Sequence, residues 1–154
     1  MRVEVLIACD GWTESLPDAE RLVVEAADEV ESAGEAAVLL ADNLTVRDLN
    51  ARFRGKDAAT NVLAFPAPAG VAGPAGAGHA GDVVVAFETC AAEAAEQGKS
   101  LADHLRHLVV HGLLHLAGHD HEDEIEAQAM EAMERTLLAR LGVADPYPPS
   151  LATR

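Results

Sequence analysis

The chain has 154 residues, a formal net charge of −15 and 49% hydrophobic residues. That length suits one domain with a substantial core, the apolar fraction excludes a disordered chain, and no apolar run reaches the roughly 18 residues of a membrane span. An acidic total opposes broad contact with phosphate backbones, which calls for Lys and Arg, but Arg47, Arg52, Arg54 and Lys56 crowd one short basic segment while Glu122, Asp123, Glu124, Glu126, Glu131 and Glu134 crowd another stretch.

Taken in chain order, Val3, Val5 and Ile7 alternate as a first strand. The N-terminal stretch lacks the length and small-residue cleavage site of a secretory signal. Pro17 opens a helix predicted over residues 18–33, which Gly34 ends. Residues 35–41 form a short buried strand, and Asp42-Asn43 turn the chain. Thr45-Val46-Arg47-Asp48 has capping-box form and starts a short helix toward Arg52, broken by Gly55. Residues 60–65 read as a third strand, stopped by Pro66. The Gly, Ala and Pro of residues 67–80 predict a loop that includes His79, and residues 82–87 a fourth strand. Helices follow over residues 88–97, then 100–116 with Ser100 in a second capping-box position, then 122–141, stopped by Gly142. Four strands and five helices in this order predict a single α+β domain spanning 1–154, one mixed sheet covered by helices, with strand order open. Cys9 and Cys90 are far apart and form no C-x-x-C pair, so they read as small core residues of a cytoplasmic protein.

The chemistry concentrates in residues 111–121, HGLLHLAGHDH. His111 and His115 are four apart on a predicted helix, which stacks their imidazoles on one face within reach of a single ion. Gly118 can end that helix in a left-handed conformation and let His121 return to the same ion. Three protein ligands leave one tetrahedral position open, the mark of a catalytic zinc site. The H-x-x-x-H-x-x-G-x-x-H spacing also occurs in metzincin peptidases, whose general-base Glu corresponds here to Gly112, and this argues against ordinary peptide hydrolysis. His104 and His107 lie roughly on the same face, and His107 is either a contact behind the ligands, a contact to substrate or a satisfied helix residue. Asp120 either orients a ligand imidazole or acts on water at the metal, or is a solvated turn residue.

These residues resemble the H-G-x-L-H-L-x-G-x-D-H signature of the YbeY family, single-strand-specific endoribonucleases of rRNA maturation, with His119 where Tyr is common. Arg54-Gly55-Lys56-Asp57 followed by Thr60-Asn61-Val62-Leu63-Ala64-Phe65-Pro66 is similar to a second family segment, with Ala64 at a usual Ser, and Gly81-Asp82 and Asp145-Pro146-Tyr147 also fit. The resemblance implies one zinc ion on His111, His115 and His121, an essential arginine at Arg54, RNA as substrate, and the ribosome or its small-subunit proteins as partners. A planar guanidinium at Arg54 suits a bidentate grip on phosphate. Arg52 and Lys56 are weaker candidates for guiding RNA; Asn61 and Thr60 are either pocket hydrogen-bonders or strand-end residues. The base is left open among Asp120, His107, hydroxide held by the metal and the RNA 2′-hydroxyl. Two other readings stand beside this one. One is an amide-bond metallohydrolase; the other is a non-catalytic, zinc-stabilised ribosome-assembly factor, which the acidic surface favours.

Overall fold

The structure, a computed structural model, describes residues 1–68, 70, 78–119 and 123–147. Its elements run β1 (Arg2–Ile7), α1 (Asp10–Ser15), α2 (Ala19–Asp28), β2 (Glu35–Ala41), α3 (Asn43–Arg54), β3 (Val62–Pro66), β4 (His79–Ala86), α4 (Phe87–Gln97), α5 (Leu101–Leu116) and α6 (Glu124–Arg140). The strands form one mixed sheet in the order β1-β2-β4-β3, in which β2 is parallel to β1 and β4 while β3 runs antiparallel to β4 at the edge. The α+β expectation holds, with six helices among the described residues instead of five. None of the described helices is long and apolar enough to cross a membrane.

Side-chain alternation along the strands builds two unequal cores. Val38, Leu40, Val83 and Val85 face the larger core, where α2 and α5 supply Val23, Ala26, Leu105, Val109, Leu113 and others. Leu63, Val84, Ala86 and Ala41 face the other way, and among the described residues it is α3, through Val46 and Leu49, that packs on them. One face of the sheet is therefore fully covered and the other only in part.

Several boundaries moved, each for a local reason. The six-residue α1 has no room to show helical periodicity, and it is held by Trp12, fully buried, whose indole N–H donates to Ala41 O at 3.0 Å. The helix expected over 18–33 stops at Asp28, where the N–H groups of Glu29 and Val30 turn back onto Ala26 and Ala27, and Val30 folds into the core. Asp42, not Thr45, caps α3 by accepting from the Thr45 N–H at 2.8 Å, which starts the helix earlier and carries it to Arg54. Pro66 stays within β3, opposite Gly81, because an edge strand has no outer neighbour that needs its missing N–H. His79 belongs to β4, where it pairs with Glu35, and Phe87 begins α4. The rest of the expected loop, residues 69 and 71–77, lies outside the described residues. Asp123 caps α6, so that helix starts two residues later than expected. Cys90 is buried, burial pushes its thiol up to about 12, and Cys9 packs at the core margin.

One contact sets where α5 lies. A Cβ at Gly112 would stand 2.8 Å from Val83 Cγ1 and 3.1 Å from Cγ2, so only glycine lets α5 cross β4 this closely. Alanine is the better helix former by about 1 kcal/mol, yet Val83 is fully buried and cannot yield. Gly112→Ala is expected to destabilise the fold by about 1–3 kcal/mol, and Val83→Ala in the same chain to recover part of the loss, as read from urea unfolding of the single and double variants.

Candidate metal centre

Ser100 opens α5 by accepting from the Asp103 N–H at 3.1 Å, as its position in the sequence predicts. The helix then carries His104, His107, His111 and His115 as a ladder of rings, with successive centroids 6.1, 6.3 and 4.7 Å apart. At its C-terminal end the Nε2 atoms of His111 and His115 face each other at 3.2 Å. Two nitrogens bound to one tetrahedral ion at 2.0–2.1 Å stand about 3.3–3.4 Å apart. The pair is thus already set at ligand spacing.

His111 is held from behind. Its Nδ1–H donates to Oε1 of Glu134, a fully buried carboxylate on α6, which leaves the Nε2 lone pair facing His115. His107 Nε2 lies 3.8 Å from the other carboxylate oxygen and 3.2 Å from the Tyr147 hydroxyl. Burial alone would raise the Glu134 pKa, but the proton donors His107, His111 and Tyr147 outweigh it and hold the group near its ionised form, at about 2. Burial, then the Glu134 carboxylate, push the Tyr147 hydroxyl upward, so it remains a donor. Tyr147 is strapped to α6 by Arg135, which donates to its carbonyl and to Asp145, each at 3.1 Å.

After Leu116 the helix unwinds through Ala117 to Gly118, whose φ of +103° no other residue adopts cheaply, and the His119 N–H closes back on Leu114 O at 3.0 Å. This is the reversal expected from the sequence. His121, the third expected ligand, and Asp120 lie outside the described residues. Glycine at 112 also bears on peptidase chemistry: the position of a general-base Glu is pressed against Val83 in the core, away from the ligand nitrogens, and no longer side chain fits there.

Arg54 sits in the last turn of α3, before Gly55 closes it in the left-handed conformation. Its Nη2 donates to the carbonyl of Ala64 on the edge strand at 3.2 Å, and its guanidinium lies 5.9 Å from the centre of the Phe65 ring. The neighbouring Arg47 and Arg52 are tied to Asp57 and Asp48. Arg54 has no carboxylate partner among the described residues, whereas the two histidines belong to α5 on the opposite, covered face. The structure therefore places Arg54 at the open edge of the sheet and the histidine pair beneath it. Asn61, a candidate from the sequence, is occupied structurally: its amide donates to Glu93 at 3.0 Å, and Glu93 also meets His104 at 2.9 Å.

Sequence reasoning passed over Glu134 as one acidic residue among many. A signal was there. Met130, Glu134, Leu137 and Leu138 share the buried face of α6 at spacings of three and four, and a carboxylate on an apolar stripe requires a buried partner.

Fold and site together define a class: a single-domain α+β protein with a carboxylate-backed pair of facing histidines. The comparisons with known proteins go further. The family profile described as Endoribonuclease YbeY matches residues 10–142. The Endoribonuclease YbeY of Paramagnetospirillum magneticum is 50% identical over 157 aligned residues, covering 96% of each chain. That of Chelativorans sp. is 52% identical over 130, covering 83% of this chain and 80% of the relative. The solution structure of TM1509 from Thermotoga maritima, 23% identical, superposes with a TM-score of 0.55 over 96% of this chain and 99% of its own, which supports the fold. The chain belongs to the Endoribonuclease YbeY family.

The carboxylate's hold on His111 can be read directly. In nitrogen NMR of the metal-free protein, His111 is expected in the Nδ1–H form, and Glu134→Gln to release it into a mixture of the two tautomers. An unchanged His111 spectrum in that variant would show that Glu134 does not set the ring.

Proposed function

We propose that this chain is a zinc-dependent, single-strand-specific endoribonuclease that acts in rRNA 3′-end maturation and ribosome quality control in the cytoplasm. Endoribonuclease activity follows from family membership. The observation that carries the metal reading is the pair of Nε2 atoms 3.2 Å apart with a buried carboxylate behind one of them. Ligating imidazoles characteristically donate their second N–H to such a group. His111, His115 and His121 would hold the ion, one per chain, and zinc so bound supplies a Lewis acid for a phosphoryl oxygen and lowers the pKa of water.

The remaining work falls to the protein's own groups. Glu134 fixes His111 in the tautomer whose Nε2 can bind, and its charge offsets part of the cation's. Tyr147 and His107 keep Glu134 in place. Arg54, held by one carbonyl and with no acid partner among the described residues, can turn its remaining N–H donors to a phosphate and steady negative charge as it builds during cleavage. The RNA strand runs from the histidine pair past the edge of β3 to Arg54. The ribosome and its small-subunit proteins are the partners this reading implies. The buried placement of Gly112 weighs against amide hydrolysis.

Metal analysis paired with cleavage of a single-stranded RNA tests the assignment. His115→Ala is expected to lose both zinc and cleavage. Arg54→Ala should keep its zinc and lose cleavage by about 10²–10³-fold; zinc loss in that variant would refute a purely catalytic role. Glu134→Gln should bind zinc about 10- to 100-fold more weakly in a chelator competition. A zinc-loaded protein that binds ribosomes stably and cuts no RNA would replace this reading with that of an assembly factor.

A further inference from the structure

The half of the sheet that α3 leaves open is not blank. Leu6, Leu39, Val84 and Phe65 form its floor, and Leu49 and Phe53 of α3 wall it, enclosing about 590 Å³. Phe53 is 69% exposed and meets Phe65 edge to face, with ring centroids 5.7 Å apart. Arg54 lies over the same Phe65 ring. A solvated aromatic pair in an apolar groove marks a binding site, and here an arginine with no acid partner among the described residues stands at its rim. Asp82 also lines the groove. Its charge repels phosphate, so a nucleic-acid backbone is turned away from the floor, while a neutral, flat base is not.

We propose that this groove is a nucleobase site: an unpaired base of the RNA stacks on Phe53 and Phe65 while an adjoining phosphate of the strand meets Arg54. The proposal rests on the reading of Arg54 as a phosphate contact and adds a second anchor beside it. Every base has a stacking face, so such a site grips single strands with little sequence preference, whereas a duplex keeps its bases stacked on one another. An apolar protein segment could fill the same volume, but it would leave the Arg54 guanidinium unanswered.

The test measures binding of a fluorescein-labelled single-stranded RNA to the full chain and to Phe53→Ala, Phe53→Tyr and Leu44→Ala. Leu44 is an equally exposed apolar residue of α3 that does not line the groove. Phe53→Ala is expected to weaken binding about 5- to 100-fold, Phe53→Tyr to restore it, and Leu44→Ala to match the parent chain. An abasic ribose-phosphate oligomer should bind the parent and Phe53→Ala alike. Equal RNA binding by the parent and Phe53→Ala overturns the proposal. So does a Phe53→Ala variant that binds RNA normally but loses the small ribosomal subunit, since a protein would then own the groove. Cleavage assays run beside these keep the two readings apart. Undiminished cleavage by Arg54→Ala removes the catalytic reading of that residue, whereas base stacking stands or falls on Phe53 alone.

Discussion

The contact between Gly112 and Val83 is the constraint on which the rest of the site depends. It lets α5 settle directly onto the Val83 side chain of β4 at the crossing point, with Leu105, Val109 and Leu113 filling the core beside it. That depth fixes the height of His111, one residue before the crossing, and His115, one turn after it. A helix standing further from the sheet would shift His111 relative to Glu134 of α6, while the facing of the two Nε2 atoms, set within α5, would stay. The same closeness excludes an acid at position 112, so one packing contact both positions the histidine pair and keeps a carboxylate from the residue beside it.

Electrostatics explains why an acidic protein can still have a nucleic-acid site. Much of its basic charge is spent locally: Arg21, Arg47, Arg52, Arg135 and Arg140 each face a nearby carboxylate at the surface, pairs that add little stability. The buried Glu134 is different. Removing a carboxylate from water is costly unless donors surround it, and His111 and His107 of α5 and Tyr147 of the C-terminal segment gather around Glu134. Its charge therefore belongs to the site, whereas the Arg54 guanidinium, bound to the Ala64 carbonyl, has no carboxylate partner among the described residues.

Most of the architecture was legible because it rests on local signals. Ser100 capped α5 and Gly55, Gly98 and Gly118 closed their helices where the sequence put them. The four-residue spacing of His111 and His115 translated directly into facing nitrogens. What stayed hidden was long-range. Strand order depends on which hydrophobic faces meet, and α1 exists because Trp12 finds Ala41 from 29 residues away. Glu134 becomes visible only when α6 is docked and its acidic residues divide into solvated ones and one that is enclosed. The separation of Arg54 from the histidines by the edge strand was likewise beyond a linear reading, because two motifs close in family signature can fold onto different faces.

That separation has a mechanical consequence. A polymer that touched both Arg54, on the α3 side, and the histidine pair, on the α5 side, would have to pass the rim of β3. Double helices are stiff on the scale of a hundred base pairs or more and resist bending around it, whereas an unpaired strand rotates freely about its backbone bonds. On the proposed reading the sheet edge is then a mandrel that sorts substrates by bending rigidity before any base is read.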